Sequence, residues 1–110
     1  VTVLENQTVQ INGFVSGGGN NLTEGLNSGG VTLTLFREAV GLDMLAFNEE
    51  SWTSNNEQDS WIGSCSISWI DSPPPGTYIY RLRITINLVP PGSVGTVNSR
   101  GLNGIVLDTN

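Results

Sequence analysis

The chain has 110 residues, 37% hydrophobic and 13% charged, and its ten carboxylates against four cations leave a net charge of −6. One domain fits that length. The four cations are the scattered Arg37, Arg81, Arg83 and Arg100, which cannot build the basic patch that a nucleic-acid partner or an anionic membrane surface requires.

The first strand signal comes from Val1, Val3, Val9, Ile11, Gly13 and Val15, all on odd positions. It predicts one long strand, or two short ones broken near Glu5-Asn6-Gln7, because successive strand side chains point to opposite faces. Asn12-Gly13 is a possible hairpin turn, but the odd parity runs through it. Gly17-Gly18-Gly19 and Asn27-Ser28-Gly29-Gly30 predict a glycine-rich tether or loop over 16–30. The expected organisation is thus an N-terminal strand at 1–15, a tether at 16–30 and a β-sandwich body at 31–110.

Val31, Leu33 and Leu35 alternate with threonines and predict a strand, followed by a turn over 37–43 and a return strand over 44–47. The polar stretch 48–60, with Trp52 standing alone, reads as a loop or irregular edge. Trp61, Cys65, Ile67 and Trp69 then share odd parity, with Ser64, Ser66 and Ser68 between them. Asp71-Ser72-Pro73-Pro74-Pro75-Gly76 turns the chain. Tyr78, Tyr80, Leu82, Ile84, Ile86 and Leu88 share even parity, which predicts one buried face on a strand that ends at Pro90-Pro91-Gly92. Two short strands over 93–98 and 102–107 complete the series. About eight strands at this spacing, with no helical period, predict an all-β antiparallel sandwich of jelly-roll-like form.

Three segments carry a family resemblance: Val31 to Arg37, Ser66 to Tyr80, and Asn98 to Leu107. Over most of 31–107 the chain resembles the small jelly-roll domains of spore-forming bacteria. That group includes the C1q/TNF-like heads of collagen-like exosporium proteins and the subunits of endospore appendages. The resemblance implies homotrimeric or fibrous assembly on a surface and carries over no catalytic residue. No collagen-like Gly-X-Y stalk precedes Val1, and a start at valine predicts a processed product or a fragment.

Chemistry is thinly supplied. Without histidine there is no Ser-His-Asp triad, Cys-His pair or imidazole metal site. Glu49 and Glu50 are adjacent and would face opposite ways in a strand, while Glu57 and Asp59 share parity in a predicted loop; a paired-carboxylate site is the weaker reading of both. Asn55, Asn56, Glu57 and Asp59 offer oxygens of the kind calcium takes, at a spacing unlike an EF-hand loop. No enzyme activity, metal or cofactor is expected. Trp61 and Trp69 read as core, and Trp52 as a contact for a glycan or a partner. The single Cys65 excludes an internal disulfide and reads as a buried thiol, with an intersubunit disulfide as the other possibility.

The expected function is structural: a self-associating subunit of an extracellular cell- or spore-surface assembly, either a homotrimeric head or a helical, pilus-like fibre. Its partners would be copies of itself, with no nucleic acid and no membrane insertion, since no apolar run approaches the ~20 residues that span a bilayer. Val1, Val3, Val9, Ile11 and Val15 are the expected self-association residues, because a tethered strand can pair with a neighbour's edge. The alternative is a carbohydrate-binding module using Trp52 and the acidic loop.

Overall fold

A computed structural model of the chain describes residues 1–20, 27–54, 60–89 and 94–109. Among the described residues there are eight strands: β1 (Thr2–Val3), β2 (Gln7–Asn20), β3 (Asn27–Glu38), β4 (Leu42–Ser54), β5 (Ser60–Asp71), β6 (Gly76–Thr77), β7 (Ile79–Val89) and β8 (Val94–Asp108). They form two three-stranded antiparallel sheets, β5-β2-β8 and β4-β3-β7, and a two-stranded ribbon, β1-β6. This is the all-β antiparallel sandwich that the alternation predicts. The molecule is long and thin, 56 × 24 × 16 Å.

The core follows the odd parity of β2 and β3. Val9, Ile11 and Val15 face Leu33 and Leu35, with Cys65 and Ile67 from β5, and all are buried. Gly13 holds the middle of that row. A methyl there would stand 2.9 Å from Leu82 Cδ2, so the missing side chain lets β7 approach β2. The even residues of β7, namely Tyr80, Leu82, Ile84 and Ile86, face inward as expected but are only partly buried.

The break between β1 and β2 falls at Asn6, whose φ of 63° is left-handed, a conformation asparagine tolerates. β1 then closes one end. The Val1 ammonium donates to the Tyr78 carbonyl at 2.8 Å, and Tyr78 N–H returns a bond to the Val1 carbonyl at 2.8 Å. That exchange holds Tyr78 between β6 and β7, where its hydroxyl donates to the Pro74 carbonyl at 2.6 Å.

Several boundaries differ from the expectation. Residues 16–20 continue β2 and residues 27–30 begin β3, so both ends of the expected tether are strand; 21–26 lie outside the described residues. Glycine's entropic cost is met here by ladders on both sides of β2. β4 runs on through Asn48, Glu49 and Glu50, because an edge strand can turn polar side chains to water without losing its ladder to β3. β8 is one strand through Ser99-Arg100-Gly101. Its irregularity is a bulge: Ser16 pairs Ser99 and Gly17 pairs Val97, leaving Asn98 as the extra residue. Trp69 shares the inward parity of β5 but is 42% exposed, although Ile67 and Asp71 on either side of it are buried.

Candidate self-association surface

The expected self-association residues belong to the chain's own interior. Val3, Val9, Ile11 and Val15 are at most 2% exposed, and β2 is the central strand of its sheet, bonded to β5 and β8. Val1 is exposed, yet its backbone is pinned to Tyr78. Within the chain, both edges of β2 are occupied by β5 and β8 and its odd face is buried, so residues 1–15 fill the chain's own core here.

What faces outward instead is apolar in two places. On the outer face of β4-β3-β7, Leu42 pairs Glu38, Met44 pairs Phe36, and Phe47 pairs Thr34. Met44 is 61% and Phe47 65% exposed, Leu42 is exposed beside them, and Ile79 flanks Glu38 from β7. Met44 and Phe47 share a face although three positions separate them. Leu45 is the extra residue of a bulge between the Leu35 and Phe36 rungs, and it moves Phe47 onto the outer side. On the outer face of the other sheet, Ile70 and Ile105 flank Gln10, and Leu107 lies beside Thr8; all three are exposed.

The two flanks of the sandwich differ. On one, β4 meets β5: Asn48 Nδ2 donates to the Ser66 carbonyl at 2.7 Å, and Cys65 Sγ donates to the Asn48 carbonyl at 3.6 Å. On the other, β7 and β8 stand apart around a cleft of about 560 Å³ lined by Tyr80, Arg81, Leu82, Ile84, Arg100 and Leu102. Leu82 and Ile84 are only half-buried because this cleft opens beside them. Charge is divided the same way. Exposed Asp43, Glu49 and Glu50 lie on β4, and exposed Arg81 and Arg83 on β7 with Arg100 on β8. Arg81 is bonded to Glu38, and Arg83 lies 4.9 Å above the Phe36 ring.

One polar cluster lies between the sheets. Arg37 Nη1 donates to both Asp71 oxygens at 2.8 and 2.9 Å, and the Tyr80 hydroxyl donates to Asp71 Oδ2 at 2.7 Å. Burial, then the hydrogen bond to Asp71, pushes the Tyr80 phenol well above its ordinary range. The bond to Asp71 raises the Arg37 guanidinium likewise. Both groups hold their protons, and the Asp71 oxygens already accept three hydrogen bonds, so the cluster is a clamp between sheets and not an acid–base pair. Sequence reasoning passed over it; the signal was an aspartate on the apolar parity of β5.

Cys65 is buried, and desolvation, with the nearby Glu50 charge second, raises its thiol above the usual range. It has the inert setting that the sequence predicted. The backbone of Trp52, in β4, pairs with Gly29 of β3, but its side chain and that of Trp61 lie outside the described ones. Asn55, Asn56, Glu57 and Asp59 also lie outside the described residues. Among the described residues no group of acidic or cysteine side chains could hold a metal ion, and no helix is long and apolar enough to cross a membrane. Comparison with protein-family models, curated proteins and solved structures finds no match to this chain.

Proposed function

We propose that this protein is a structural, self-associating subunit of an extracellular surface assembly of the kind found on cells or spores. The observation that carries the reading is the outward-facing row Leu42, Met44 and Phe47 on β4, with Ile79 across Glu38 from it, on a sheet whose β7 edge pairs with no further strand among the described residues. Contiguous exposed apolar rows mark interaction surfaces, and unpaired edges are templates for association unless they are blocked. The likeness of residues 31–107 to jelly-roll surface domains of spore formers points the same way. So does a composition low in charge and rich in Asn, Thr, Ser and Gly.

A second reading rests on a different feature. On the outer face of β5-β2-β8, Asn12, Ser66, Ser68, Asn103 and the half-exposed Phe14 line a shallow groove of about 420 Å³. Amide and hydroxyl groups beside an aromatic ring are what a carbohydrate-binding face needs. Negative-stain microscopy beside a glycan-binding assay separates the two. Filaments or uniform closed particles support the structural reading. Isolated domains that bind glycans overturn it in favour of the binding module.

A further inference from the structure

Two edge strands of one sheet carry opposite charge. β4 presents Glu49 and Glu50, with Asp43 on the same strand already paired to Arg37 at 3.5 Å, and β7 presents Arg81 and Arg83, with Arg100 across the open cleft. Both strands run antiparallel to β3 and therefore parallel to each other. A second copy set beside the first in the same orientation thus meets β7 with its own β4, running the same way. On the outer face Glu49 stands level with Thr85 through Thr32, and Phe47 level with Arg83 through Thr34. A stagger of two residues, roughly 7 Å, brings Glu49 of one copy to Arg83 of the other and Phe47 to Arg81. Both pairs are favourable, ionic in the first case and cation–π in the second.

We infer that the acidic β4 flank of one copy docks on the arginine-bearing, open β7/β8 flank of the next. The inference rests on the self-association reading above and names its surface. The occupant is a second copy because the charge complement lies on this same chain. The cleft beside Leu82, Ile84 and Leu102 supplies apolar surface that the second copy would cover, and the arginines at its mouth favour an acidic neighbour. The contact is heterologous, so it builds a ring where the rotation closes and a fibre where it does not.

The test is a charge swap in the full chain. One variant carries R81E and R83E; the other carries E49R and E50R. Each alone opposes like charges across the contact, so each should sediment as a single domain under conditions where the native chain assembles. In an equimolar mixture the two variants alternate, which restores opposite charge at every contact of a fibre or an even-numbered ring and at all but one of an odd ring, so the mixture should assemble beyond a single domain. Circular dichroism melts check that each variant is folded, and R83Q with E49Q serve where a reversal does not fold, with weaker assembly expected of each. Assembly of a single reversed variant at native size, or a folded mixture that stays dispersed, overturns the inference and leaves the self-association reading standing. A native chain that is itself monomeric at all concentrations overturns both.

Discussion

Arg37 on β3 grips Asp71 on β5 through both carboxylate oxygens, at 2.8 and 2.9 Å, and so ties the two sheets together. The Asp71 side chain is 8% exposed, so its charge depends on this partner. Tyr80 from β7 adds a third strand to the same carboxylate, and the Arg37 guanidinium also lies 5.5 Å from the Tyr78 ring centre. One end of the sandwich is therefore closed by charge, the rest by aliphatic packing.

Replacing Arg37 by alanine should cost about 3 kcal/mol, because a buried carboxylate is left without its cation. The double replacement R37M with D71L should cost less than the single one, since it removes the uncompensated charge. Urea denaturation of the three proteins measures both effects. A single variant as stable as the native chain would show that the pair contributes nothing.

Leu33 is fully buried, whereas Leu82 is half-buried beside the open cleft and Thr85 is exposed. L33A should cost about 2–5 kcal/mol through lost transfer energy and a cavity. L82A should cost clearly less, and T85A least. Thermal melts rank the three. An L82A loss equal to that of L33A would mean that the β7/β8 cleft is closed in solution.

Gly101 lies under the Phe14 ring, and a methyl there would clash with Phe14 Cε1. G101A should destabilise by at most about 1 kcal/mol, because Phe14 is half-exposed and its ring can turn toward solvent to admit the methyl. Adding F14A should recover part of that loss, which a double-mutant cycle in urea reads directly. Independent, additive effects would remove the proposed contact.

Tyr80 sets the alkaline limit. Its phenol is raised in the folded chain, while the unfolded chain releases the proton at about pH 10. Below that value both states keep the proton and the stabilising contribution is fully present. Above it the unfolded state alone is deprotonated, so stability falls as pH rises toward the folded value. The melting temperature of Y80F should be lower at neutral pH, through the lost hydrogen bond to Asp71, but should fall less steeply above pH 10. Parallel alkaline profiles for the two proteins would show that Tyr80 is not the group responsible.

The sandwich was legible because its buried faces obey parity: Val9, Ile11, Val15, Leu33, Leu35 and Ile67 all lie where alternation puts them. The glycine-rich ends of β2 and β3 were not, since a glycine held by two ladders looks in sequence like one in a loop. The outer row Leu42, Met44 and Phe47 was hidden by the Leu45 bulge, which breaks the period that would have joined Met44 to Phe47. The Arg37–Asp71 clamp spans 34 positions and leaves no local pattern. Nor does parity tell a strand that fills its own core from one offered to a neighbour. Val9 and Ile11 satisfy either, and only the three-dimensional ladder from β2 to β8 shows them in the chain's own core.

The central claim is that folded copies associate through their flanks and outer faces while β2 stays in its own core. Sedimentation velocity of the native chain over a wide concentration range tests it most directly. The account predicts species larger than one 11.7 kDa chain, growing with concentration. A single 11.7 kDa boundary at every concentration would contradict it.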